Sequence, residues 1–281
     1  MPSKVALVTD SSVGIGCETA LMLARNGYYT YAGTKNLSQA RDLSRISKEE
    51  KLPLRIIKLN INSTFSVGFA VKKILKEQQN KIDLLVNNTG YVLLGCFEDV
   101  SINEMRDQFE TNFYSTVRTV RSVLPFMRKH KSGKIINVSS IAGRIGFPVS
   151  SAFVSSQFAI EGLSESMRIE LEPFGIHVSI IEPGMVRATN FMHSMVIANK
   201  AKKPSSPYSN ITRKLTKNIE QMIGMGISPR EVAYTVLKAA KSDYPLPRYI
   251  VGDDAAMIME NRKSMADTEF DKFVKNTILN V

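Results

Sequence analysis

Cysteine is nearly absent from this chain: Cys17 and Cys96 are the only two in 281 residues. That number excludes a disulfide framework, and their separation does not match metal-ligand spacing, so both read as small buried hydrophobes in a reducing interior and no metal site is implied. Long apolar runs are missing as well. No stretch reaches the roughly 18 uninterrupted apolar residues that a membrane span requires. The opening MPSKVALVTDSS carries an apolar run far too short for the core of a signal peptide and passes straight into a strand-like segment, so a cytoplasmic protein is expected. Internal repeats and low-complexity tracts are also lacking.

Positive charge, by contrast, is in excess, with a formal net charge of +11. Lysines and arginines are spread along the chain, with local runs only at Arg128–Lys131 and Lys200–Lys203, and no aromatic residues interleave with them. This pattern describes a solvated basic surface better than a nucleic-acid interface. Such a surface would still attract an anionic dinucleotide.

An apolar content of 43% is enough to build a substantial core, and the length suits one α/β domain. Apolar runs of strand length alternate with segments of helical period, which predicts a parallel sheet covered by helices on both faces. The expected strands are Lys4–Thr9, Tyr28–Gly33, Leu54–Asn60, Ile82–Asn87, Lys134–Ser139, Ile176–Glu182 and Arg248–Val251. Between them helices are expected at about 14–26, 37–50, 63–79, 103–130, 151–172 and 229–241. Residues 185–226, rich in Met, Lys, Ser and Asn, read as an excursion over the site, and 255–281 as a helical tail.

The chemistry-bearing segments follow in order. TDSSVGIG, Thr9–Gly16, joins the first strand to the first helix, where backbone N–H groups and a positive dipole end can meet a pyrophosphate. AGTKN ends the second strand with Lys35 and no acid; KLNIN holds Asn60, NNTG spans Asn87–Gly90, and ETNFYST contains Asn112. GKIINVSSIAG contains Ser140, GFPVSSAFVSSQFAIEGL contains Phe153 and Gln157, and IIEPG ends at Pro183 and Gly184.

From Lys4 to about Phe191 these segments resemble the short-chain dehydrogenase/reductase family, closest in style to its hydroxysteroid and retinol dehydrogenase-like branch. The resemblance implies a Rossmann-type, doubly wound α/β domain of about seven strands and a nicotinamide dinucleotide held by Thr9, Asp10, Ser12, Gly14, Ile15, Gly16, Lys35, Asn60, Asn87, Gly90, Gln157, Pro183, Gly184 and Thr189. Lys35, in place of the acid that would grip a ribose diol, favours NADP(H). It also implies a homo-oligomer, dimer or tetramer, and a lipophilic alcohol or ketone as substrate if the protein is active.

Four positions depart from the family pattern. Asp10 replaces the first glycine of the turn. Its side chain either faces the phosphates, with a repulsion on the order of 1–3 kcal/mol that would weaken cofactor binding, or caps the helix or points to water. Asn60 replaces a common adenine-contacting acid. Ser140 and Asn112 match two members of the catalytic set, but the proton-passing tyrosine maps to Phe153, and the lysine that holds the nicotinamide ribose maps to Gln157. The resemblance therefore implies a family scaffold with a disabled proton relay, acting in dinucleotide binding or as an oligomer partner. The alternative is a weakly active oxidoreductase using Ser140, Asn112 and water. Tyr91 is expected to pack beside cofactor or substrate, and His130, His177 and His193 match no catalytic position.

Overall fold

Strands β1 (Val5–Val8), β2 (Tyr29–Thr34), β3 (Leu54–Lys58), β4 (Leu84–Asn87), β6 (Gly133–Val138), β7 (Ile176–Pro183) and β9 (Arg248–Val251) form one seven-stranded parallel sheet. In this computed structural model, residues 4–88, 90–187 and 195–279 are described. The strand order is β3-β2-β1-β4-β6-β7-β9, with the crossover from β1 to β4 at its centre. All residues of β1 and β4 are buried, the expected consequence of runs such as VALV and LLVN that have apolar side chains on both faces.

Two core clusters cover the sheet. On one face α1 (Gly14–Arg25) and α8 (Pro229–Lys241) enclose Val8, Leu23, Val86, Ile181 and Val236. On the other, α3 (Thr64–Glu77), α5 (Ser115–His130) and α6 (Ser151–Leu171) enclose Leu7, Val71, Leu85, Val123 and Met167. Side chains fix several helix starts. Ser63 Oγ accepts from Ser66 N–H at the head of α3, and Ser228 forms a capping box with Glu231 beside Pro229 at the head of α8. Gly27, at φ +86°, ends α1 in a conformation that favours glycine.

The structure differs from the sequence expectation in four places. The expected helix 103–130 is divided into α4 (Ile102–Phe109) and α5 by a π-turn at Glu110–Tyr114. The expected helix 37–50 begins as a 3₁₀ turn at Leu37–Ala40 and continues as α2 (Arg41–Glu49). The excursion after Gly184 carries regular structure: β8 (Met195–Ile197) pairs in parallel with β5 (Val92–Leu94), and α7 (Ser209–Gly224) follows. The tail is broken into α9 (Asp253–Ser264) and α10 (Asp267–Val274), followed by a π-turn at Lys275–Leu279. Among the described residues, no helix is long and apolar enough to cross a membrane, and no group of His, Cys, Asp and Glu is arranged to hold a metal ion.

Candidate active site

The carboxyl ends of β1, β4, β6 and β7 open into a cavity of about 240 Å³. Its first wall is the turn after β1. Thr9 N–H donates to the Val86 carbonyl at 3.0 Å and Asn88 N–H donates to Thr9 Oγ1 at 3.0 Å, which ties the turn to β4. Asp10 adopts φ +49° and Gly14 φ +61°, left-handed conformations that let the chain reverse into α1. A Cβ on Gly16 would run into the Asp10 carbonyl and lie 2.6 Å from Asn88 Nδ2, so only glycine permits this approach. The cradle fits a pyrophosphate in shape, with the α1 N-terminus behind it. Asp10 lines the cavity and keeps solvent exposure, while the protein packed around it desolvates its carboxyl enough to raise its pKa.

The opposite wall comes from β6 and α6. Ser140 follows β6; its Oγ accepts from Ala142 N–H at 3.2 Å and donates to the Pro183 carbonyl at 3.5 Å, so the hydroxyl is oriented at the cavity edge. Phe153 and Gln157 lie one turn apart on the same face of α6, and both line the cavity. Phe153 is half-buried and Gln157 is only 5% exposed. The Gln157 carboxamide has no hydrogen-bond partner among the described residues, so it is available to a ligand. No ring hydroxyl and no ammonium occupies these two positions.

Asn112 sits in the π-turn, 1% exposed, a geometry that rotates its side chain away from the regular helical track. Its amide bonds the Tyr91 backbone and, at 3.3 Å, the Ser156 hydroxyl on α6. Gln108, fully buried, donates to the Tyr91 carbonyl and accepts from Leu93 N–H, both at 2.9 Å. Together they hold the segment from Gly90 into β5. Tyr91 lines the cavity, and burial raises the pKa of its phenol.

Behind the cavity two polar clusters are buried. In the first, Thr119 Oγ1 donates to Asn87 Oδ1 at 2.6 Å, Asn87 Nδ2 to Asn137 Oδ1 at 2.8 Å, and Asn137 Nδ2 to Ser164 Oγ at 2.8 Å. In the second, Glu182, with no exposure, accepts from Arg144 at 3.2 Å and Arg248 at 2.9 Å, while Arg248 also bonds Glu161 at 3.0 Å and Glu165 at 2.6 Å. Burial, and then the Glu182 charge, push the Glu161 carboxyl up to about 7. A Cβ on Gly143 would lie 2.9 Å from Glu161 Cγ and 3.0 Å from Ser139 Oγ, so this cluster packs directly beneath the serine strand end.

The cavity therefore gathers Asp10, Gly14, Ile15, Gly90, Ser140, Phe153, Gln157, Pro183 and Gly184 from the expected set. Thr9, Gly16 and Asn112 are buried as supports behind it, and Ser12 lies in the turn without lining it. Lys35 is exposed after β2, and the partly buried Asn60 accepts from Asn62 N–H at 3.2 Å; both are off the cavity. Asn87, expected at the cofactor, has its amide occupied inside the sheet, because its position in β4 points it at Asn137; Asn88, one residue on, reaches the cavity. The repeated asparagine of NNTG was the signal for it. Val13, Phe147, Pro148, Val186, Met195, Ile219 and Met222 complete a mainly apolar lining that sequence patterns did not single out as a set. Thr189 and His193 lie outside the described residues.

Comparison with known proteins agrees with this geometry. An uncharacterized oxidoreductase, YusZ, of Bacillus subtilis is 36% identical, covering 90% of each chain. A 3-ketodihydrosphingosine reductase of Bacteroides thetaiotaomicron is 32% identical, covering 94% of this chain and 93% of its own. The crystal structure of a short-chain dehydrogenase from Streptomyces avermitilis superposes with a TM-score of 0.84 at 26% identity over 98% of both chains. The family model for short chain dehydrogenase matches residues 4–200, and the chain belongs to the short-chain dehydrogenase/reductase family of oxidoreductases.

Proposed function

We propose that this protein binds NADP(H) in a short-chain dehydrogenase/reductase scaffold whose tyrosine–lysine proton relay is replaced, so that it works chiefly in dinucleotide binding or as an oligomer partner. The observation that carries the reading is the pair Phe153 and Gln157 on the cavity wall. A bound nicotinamide would supply hydride chemistry; the protein's part would be to hold it and move a proton. Phenylalanine has no proton to move. Glutamine keeps a donor and an acceptor that suit ribose hydroxyls but brings no charge to lower a neighbouring pKa.

Holding the dinucleotide would fall to the Gly14–Gly16 turn, Asn88, Gly90, Gln157 and the Pro183–Gly184 turn, with Lys35, exposed and without an ion pair among the described residues, free to meet a 2′-phosphate. The apolar lining supports a lipophilic ligand beside it, and Met195, Ile219 and Met222 support a lid role for the excursion. Partly exposed Phe158 and Ile169 on α6 support self-association through that helix.

Fluorescence titration with NADPH, paired with a turnover assay on lipophilic ketones, tests the reading. Micromolar binding with turnover several orders below that of relay-intact relatives is the expected result. Absence of binding at high micromolar NADPH, or ordinary turnover, would overturn it.

A further inference from the structure

Helix α3 presents an exposed stripe that the dinucleotide site does not use. Phe65 is 84% exposed and Phe69 64%, and their rings stack with centroids 6.5 Å apart. Lys72, Lys73 and Lys76 continue the stripe, are exposed, and form no ion pair with any described residue. At 3.6 residues per turn, all five fall within an arc of about 100°. The opposite side of α3 is anchored in the core by Val67, Ala70, Val71, Ile74 and Leu75. The stripe is therefore rigid and needs no folding to act.

Two adjacent exposed phenylalanines followed by three unpaired lysines match the requirements of an anionic bilayer surface, where rings enter the headgroup boundary and ammonium groups meet lipid phosphates and carboxylates. A second copy of the chain fits less well. The only acid on α3, Glu77, is already bonded to Arg55 at 2.8 Å and to Tyr31, so a two-fold contact through α3 would set lysine stripes together without counter-charge. We infer that the α3 face is a docking surface for membranes carrying anionic lipid headgroups, independent of the cofactor reading.

The chain contains no tryptophan, so F69W introduces a single indole at the stripe. With vesicles of phosphatidylcholine containing phosphatidylserine, F69W emission should shift to the blue and full-length protein should co-sediment; pure phosphatidylcholine vesicles should do neither, and high salt should reverse both. K72Q/K73Q/K76Q should weaken partitioning by roughly fivefold per lysine. F65S/F69S should weaken it at least about tenfold, with thermal unfolding used to establish that both variants are folded. The inference is overturned if wild-type protein binds anionic vesicles no better than neutral ones, or if both folded variants bind as wild type. It is also overturned if the α3 face proves to be a protein interface, with F65S/F69S splitting a dimer in sedimentation while vesicle binding is absent.

Discussion

Asn112 holds the backbone of Tyr91 at both polar groups, accepting from its N–H at 3.1 Å and donating to its carbonyl at 3.1 Å. The amide of a residue that the family resemblance places in the catalytic set is thus occupied in holding the segment that leads into β5. N112A would leave the Tyr91 N–H without a partner and its carbonyl held by Gln108 alone, at a cost of about 1–2 kcal/mol. Urea denaturation should show that loss, and hydrogen exchange should quicken at Tyr91–Leu94 before it does in the central sheet.

Restoring the relay should restore chemistry. The double variant F153Y/Q157K is expected to consume NADPH with lipophilic ketones about 10²–10⁴ times faster than the parent, while F153Y alone gains little because its phenol lacks the neighbouring cation. A panel of ketones followed at the NADPH absorbance band checks this. If the double variant is no faster, some other defect limits the site.

Asp10 should make cofactor affinity depend on pH. Its raised pKa means that acidification removes the carboxylate charge before ordinary surface carboxylates are protonated, so NADP⁺ should bind more tightly as pH falls. D10G should bind roughly ten- to hundredfold more tightly at neutral pH and lose that slope. Calorimetric titration of both proteins across the acidic range would decide it.

Glu161 should shape stability in the same range with its own sign. Its folded-state pKa of about 7 lies above the ordinary 4.5, so the folded protein holds this proton more tightly than the unfolded chain. The group's contribution is greatest below the unfolded value and declines as pH rises toward 7, by on the order of 1–3 kcal/mol. E161Q should flatten that decline in denaturant midpoints measured from pH 5 to 8.

The sheet was legible because its central strands are buried on both faces and read as largely apolar runs, and much of the site because several motifs fall at strand ends. Other parts left weaker marks. Helix α7 carries an apolar row at Ile211, Leu215, Ile219, Met222 and Ile223, but that row sits inside a segment rich in Lys, Ser and Asn whose polar bulk masked it, and only Thr212, Leu215, Thr216 and Ile223 are buried. Strands β5 and β8 have three residues each and come from opposite halves of the chain, so neither shows a pattern alone. The π-turn at Asn112 adds no unusual residue to its helix, since the hydrogen bonds that favour it come from Tyr91 and Ser156. The separation of Asn87 from Asn88 depends on which way each points at the end of β4, and a motif does not record that.

The chain of bonds from Thr119 through Asn87 and Asn137 to Ser164 links α5, two neighbouring strands and α6. Asn87 and Asn137 are also register partners, so sliding β4 against β6 by one residue would break the link at its centre. The positions of Asn88 and Ser140 at the strand ends, and of α6 across from them, are thus set by contacts in which Phe153 and Gln157 take no part. Exchanging residues 153 and 157 should therefore leave the dimensions of the surrounding frame unchanged.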